Sequence, residues 1–231
     1  MKSIQLVTGI VASLLLFQYA CAQELGAASN VDHLLDAKIQ DAPTLHNALA
    51  PANAIAFILA TNHIPGGIIE AENCNGQDSV LGQKRVFNLE GWTVREALDF
   101  ILSAAPGYTW TIKDNVVDIL PRPGLPDLLT LNIGNFETGA NSGNVDIEEK
   151  LFNVATVKQY LSSHGLAKDD PLRIIIGTDN VHIGHPISIK NATPVQVLNA
   201  EALAYGGNAV WRYTERTGHC KQTYDLDWPA L

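Results

Sequence analysis

The chain has 231 residues, 46% of them hydrophobic, which is enough apolar mass for one or two folded cores. Its 24 acidic residues outweigh 15 basic ones, for a formal charge of −9. That balance argues against nucleic acid or anionic lipid as a partner, because both reward basic patches.

Residues 1–22 read as a signal peptide. Lys2 precedes the apolar run Ile10 to Phe17, and Ala20-Cys21-Ala22 supplies a small-x-small cleavage site. The run is too short for a spanning helix, and no later segment is apolar for long enough. The expectation is export to the periplasm. The competing reading makes Cys21 a lipid-modified first residue, but Gln18 stands where that pattern wants a Leu-like side chain. Losing Lys2 leaves 14 basic residues against 24 acidic and moves the formal charge from −9 to −10. Cys74 and Cys220 then remain as the disulfide candidate, the alternative being two separate thiols.

Residues 23–121 form a first unit. Leu34 to Ile39 is expected as a strand and Leu45 to Ala60 as a helix interrupted or begun afresh at Pro51. Ile68 to Ala71 and Val86 to Leu89 are further strands. Thr93-Val94-Arg95-Glu96 is a capping box opening a helix whose apolar side is Val94, Ala97, Leu98, Ile101 and Leu102. Tyr108 to Ile112 and Val116 to Leu120 form a hairpin. The run Pro121 to Pro126 cannot join a ladder, and residues 122–126 are the expected linker.

Residues 127–231 repeat the order. Leu128 to Ile133 is a strand, Gly134 to Asn144 a loop, and Ile147 to Leu161 a helix with Glu148-Glu149 in its first turn, stopped at Gly165. Leu172 to Ile176 and Ile187 to Ile189 are strands. Thr193-Pro194 caps and opens a helix, and Ala209 to Thr214 and Thr223 to Trp228 close the unit. Phe87, Leu89, Thr93, Leu98, Ala104 and Gly107 each recur one hundred residues later as Ile187, Ile189, Thr193, Leu198, Ala204 and Gly207. A repeat of this length is a duplicated small domain. The expected fold is therefore α+β, two tandem β-α-β-β-α-β-β domains, each with small sheets packed against two helices.

That order resembles the short N-terminal domain shared by secretins and TonB-dependent receptors (STN). Val86 to Leu89, Thr93 to Leu98 and Val116 to Leu120 carry the resemblance in the first copy, and Ile187 to Ile189, Thr193 to Leu198 and Trp211 to Tyr213 in the second. It implies a docking or signalling module of the cell envelope. Such domains usually precede an outer-membrane pore or receptor barrel. Here both copies fill residues 23–231 without one, so the expectation is a free or partner-bound periplasmic protein.

Chemistry-bearing clusters are few. His182 and His185 are the weak metal candidates, but three residues apart on an extended segment they point to opposite sides. Asp32, His33 and Asp36 have no nucleophile beside them, and no Gly-x-Ser-x-Gly, His-Glu-x-x-His, P-loop or dinucleotide fingerprint is present. Trp110 and Trp211 fall in equivalent strands and read as core or sheet residues. Trp92 and Trp228 are the binding candidates because they flank elements. The functional expectation is a non-enzymatic adaptor that uses no cofactor, offering sheet edges and helix faces to an envelope protein, its two copies held apart by the linker. A periplasmic binder of a glycan, peptidoglycan fragment or small molecule is the alternative, and an enzyme of unknown class the third reading.

Overall fold

A computed structural model describes residues 30–39, 48–73, 80–139, 141–168, 186–205, 209–217 and 222–227. The fold is mixed α+β, with seven helices and two sheets among these residues. None of the helices is long and apolar enough to cross a membrane.

The first half begins with α1 (Asn30–Leu35), followed by α2 (Pro51–Thr61) and β1 (Gly66–Asn73). It ends with α3 (Val94–Ser103), β2 (Tyr108–Lys113) and β3 (Val116–Pro121). The expected strand at Leu34 to Ile39 is instead a short helix and a turn, with the Lys38↔Thr93 bridge as its one sheet-like pairing among the described residues. The reason is the Leu34-Leu35 pair. A strand sends consecutive side chains to opposite faces, whereas a helix turns Val31, Leu34 and Leu35 toward one core. Pro51 opens α2 at its first position, so the helix begins afresh there; Leu45 to Asn47 lie outside the described residues. Val86 to Leu89 is no strand either: Leu49↔Arg85 is the bridge beside it, and the segment serves to sink Phe87 and Leu89 into the core. The hairpin forms as expected, its turn made by Asp114 and Asn115 at φ 51° and 62°. Pro121 does join the ladder, opposite Tyr108, because at the last residue of a strand its missing N–H removes no needed bond.

The second half holds α4 (Asp127–Thr130), β4 (Gly134–Glu137), α5 (Asn144–Asn153), α6 (Ala155–Ser163) and β5 (Ala167–Lys168). It continues with β6 (Ser188–Ala192), α7 (Pro194–Ala204), β7 (Val210–Thr217) and β8 (Thr223–Asp227). The strand expected at Leu128 to Ile133 is again a helix, for the same reason, since Leu128 and Leu129 are both buried. The loop expected from Gly134 opens instead with β4, which pairs antiparallel with β6. The single helix expected through Leu161 breaks at Val154, whose ψ of 134° is extended. The strand expected at Leu172 to Ile176 lies outside the described residues.

The small sheets expected on either side of the linker meet. Six strands run in the order β2-β3-β1-β7-β8-β5. β1 is parallel to β3 and β3 antiparallel to β2; β5 is parallel to β8 and β8 antiparallel to β7. The triplets β2-β3-β1 and β7-β8-β5 therefore share order and pairing sense. Between them, β1 and β7 run parallel from Gly66↔Val210 to Asn73↔Thr217, a longer ladder than β1 makes with β3, from Gly66↔Val117 to Ile68↔Ile119.

Parallel pairing of β1 with β7 makes β7 antiparallel to β2, so the second triplet is turned over relative to the first. The two sets of helices accordingly cover opposite faces. Gly66 lies under Leu59 of α2, whereas Gly67 lies under Trp211 on the side of α7. Ile68 and Val210 join the core of α2 and α3, and Ile69 joins that of α7, Trp211 and Tyr213. Each half thus lends a residue to the other's core, and the Pro-rich stretch does not hold two free bodies apart.

Candidate functional site

The same local construction recurs on both helices that follow a capping Thr. At α3, Thr93 N–H donates to Glu96 Oε2 at 2.7 Å and Glu96 N–H donates to Thr93 Oγ1 at 3.2 Å. At α7, Thr193 N–H donates to Gln196 Oε1 at 3.0 Å. Such caps contribute about 1 kcal/mol and fix where each helix begins. Five residues past the Thr, Leu98 and Leu198 are both buried. Six residues past it stand Asp99 and Asn199, and each accepts a hydrogen bond from the Trp of the following strand. Trp110 Nε1 donates to Asp99 Oδ1 at 2.7 Å, and Trp211 Nε1 donates to Asn199 Oδ1 at 2.9 Å.

The surroundings of these two pairs differ. Trp211, Asn199 and Asp118 are all buried, and Asn199 Nδ2 donates on to Asp118 Oδ2 at 3.0 Å. A Cβ on Gly67 would overlap the Trp211 ring and stand 2.8 Å from Asp118 Oδ1. The second half's Trp–Asn pair is therefore capped by the first half's β1 and β3. Burial raises the Asp118 pKa to about 7, opposed by the Asn199 bond and the charge of Lys113, while Asp114 adds to the rise. Among the described residues its Oδ1 has no hydrogen-bond partner. On the other face, Arg212 of β7 pairs with the buried Glu70 of β1 and reaches Asn53 Oδ1 of α2 at 3.3 Å.

No strand among the described residues covers the first half's pair. Asp99 is exposed and Trp110 half-buried, and no strand pairs with the outer edge of β2 among the described residues. An open recess of about 220 Å³ lies there, lined by Asp99, Leu102, Pro106, Tyr108, Trp110 and Arg122. Arg122 Nε donates to the Pro106 carbonyl at 2.6 Å. Arg95 sits 5.7 Å from the Trp110 ring centre and is held by Asp32 and Asp36 at 2.7 and 2.9 Å. Those two acids of the expected polar group thus serve to pin α1 to α3.

Of the binding candidates, Trp92 is half-buried and packs on Phe100, with ring centres 5.0 Å apart at 58°. Phe100 itself is 45% exposed. Trp228, the metal candidates His182 and His185, and the disulfide candidates Cys74 and Cys220 lie outside the described residues. Among the described residues no three His, Cys, Asp or Glu converge as a metal site.

A second buried acid escaped the sequence reading. Glu201 occupies the α7 position, eight past the Thr, that Ile101 fills in α3. Burial, with Glu148 adding, raises its pKa to about 9; Tyr205 pulls the other way without a hydrogen bond of normal geometry to either oxygen. Glu148 lies beyond the first turn of α5, is nearly buried and pairs with Lys168 at 2.7 Å. The signal that would have found the Trp pairs was present, since Asp99 and Asn199 stand eleven and twelve residues before Trp110 and Trp211. Nothing local marked Asp118 or Glu70 as partners of residues more than 80 positions away.

The comparisons with known proteins add no relative: no protein-family model matches the chain, and neither a curated protein nor a solved structure matches it.

Proposed function

We propose that this protein is a non-enzymatic periplasmic interaction module, built from two STN-like repeats, that receives a protein partner at the outer edge of β2. One observation carries the reading. β7, which corresponds to β2 in strand order and in its Trp, has its outer edge filled by β1, while the same edge of β2 has no strand partner among the described residues. Unpaired edge N–H and C=O groups accept an added strand, and natural proteins keep such edges short or covered unless they are used. The backbone groups of Trp110 and Ile112 face away from β3 at this edge, no proline guards it, and Thr111 and Lys113 beside them are exposed.

The small-molecule alternative rests on the recess beside Trp110. At about 220 Å³ it is open and smaller than the roughly 300–1,000 Å³ of ordinary ligand sites, which favours the strand.

The test is a photo-crosslinking residue placed at Thr111, with a control at the exposed Lys158 of α6, in envelope extracts of the source cell. A discrete partner adduct from position 111, absent from position 158 and lost when Ile112→Pro, whose N–H faces away from β3, blocks pairing, is the expected result. Equal adducts from both positions overturn the reading.

A further inference from the structure

The seam inside the chain is a worked example of what the β2 surface is shaped to hold. On β7 the occupant is a parallel strand whose glycine, Gly67, lies against the indole of Trp211, and a side chain from that sheet hydrogen-bonds the Asx residue that holds the indole. On β2 the indole of Trp110 and its Asx residue are in place, and no strand among the described residues covers them.

The chemistry of the Asx residue differs in one respect. Asn199 carries an amide and can donate, so a carboxylate, Asp118, completes its site. Asp99 is exposed and, when ionised, only accepts; a second carboxylate there would meet like charge. Its partner must donate. A cation does this best, because charge-assisted bonds are about twice as strong as neutral ones, and the chain's formal charge of −9 draws a basic partner in.

Resting on the strand-addition reading above, we infer that the β2 edge selects an edge strand from a different protein, parallel to β2, with a glycine facing Trp110 and a lysine or arginine two residues away reaching Asp99. Alternation of side chains places residues i and i+2 on one face of the incoming strand, so glycine and base face the overhanging α3 together. A second copy of this chain is the poorer occupant. The strand that fits this kind of edge, β1, is flanked by β3 and β7 in every copy.

The probe is an eight-residue peptide of residues 65–72 carrying Ile69→Lys, titrated into the isotope-labelled full chain and followed by amide and indole N–H shifts. Expected shifts are confined to Thr109 to Lys113, the Trp110 indole and Asp99. Placing Gly67→Val in the peptide weakens binding about tenfold, because a branched side chain cannot lie flat on the indole. The unsubstituted Ile69 peptide binds roughly three- to fivefold more weakly, and so does the lysine peptide to the Asp99→Asn variant, as losing a partly exposed charge pair implies. Asp99 is exposed, so that variant keeps its fold. Equal binding by the valine peptide, shifts centred elsewhere, or no binding by any peptide at millimolar concentration overturns the inference. So does concentration-dependent broadening of β2 signals without peptide, which would make a second copy the occupant. A partner crosslinked at position 111 alongside silent peptides would leave the adaptor reading intact and remove only this recognition rule.

Discussion

Trp110 and Trp211 make the same hydrogen bond from the same place in equivalent strands, yet one is half-buried at a sheet edge and the other is fully buried in the middle of a six-stranded sheet. The difference lies in what covers them. Trp211 has β1, Gly67 and Asp118 over it; Trp110 has a recess. A motif therefore does not say whether it is core or interface until its neighbour is known. Where the neighbour is another part of the chain the motif stabilises the fold, and where it is missing the motif is available to a partner.

The comparison breaks first at the tryptophans. Trp211→Ala should cost about 5 kcal/mol, since it removes a fully buried ring and leaves Asn199 without its donor, while Trp110→Ala should cost less than half as much. Urea unfolding of both variants decides it, and equal losses would mean that Trp110 is covered in solution.

The ion pairs sharpen the same contrast. Arg212→Ala removes the ion-pair partner of Glu70, a fully buried carboxylate, and should cost about 3–5 kcal/mol. Arg95→Ala removes two bonds to exposed Asp32 and Asp36 and should cost under about 1 kcal/mol. The urea midpoints of the two variants should separate clearly; overlapping midpoints would show that the seam is not held by Arg212.

The buried acids give the seam a pH signature. A carboxyl raised by burial binds its proton more tightly folded than unfolded, so its contribution to stability is full below the unfolded value and is lost as pH rises toward the folded one. For Asp118 that window runs from 3.8 to about 7, and the loss is at most about 4 kcal/mol. For Glu201 it runs from 4.5 to about 9. Stability should fall from pH 4 to pH 9. Asp118→Asn should make the limb below pH 7 shallower, and Glu201→Gln should do the same and also flatten the limb above pH 7, as thermal melts across that range would register. A wild-type profile that rises over this interval refutes the assignment.

The smallest contrast is expected between the two leucines. Leu98→Ala and Leu198→Ala should each cost about 3 kcal/mol, because both are buried five residues past a capping Thr. A loss below 1 kcal/mol at either, from chemical denaturation, would mean that the two helices do not play the same part.

What was legible in the sequence was local. The capping boxes at Thr93 and Thr193, the hairpin turn at Asp114-Asn115, the stop at Gly165 and the apolar face of α3 are each fixed by a few neighbouring residues. The sequence reading failed twice in the same way, at Leu34-Leu35 and Leu128-Leu129, where alternation was read across a leucine pair that only a helix can bury on one side. The shared sheet was not legible at all. Backbone pairing of β1 with β7 has no side-chain code, and nothing local marks Gly66-Gly67, which lets Leu59 and Trp211 close on the strand from either face, as its seam. Sequence alone determined the hairpin and the Thr-capped helices α3 and α7, one hundred residues apart, because those follow from periodicity and caps. Only the tertiary structure decided that the second half turns over and fills its edge with β1 while no described strand fills that of β2, because that choice depends on which surfaces far apart in the chain fit together.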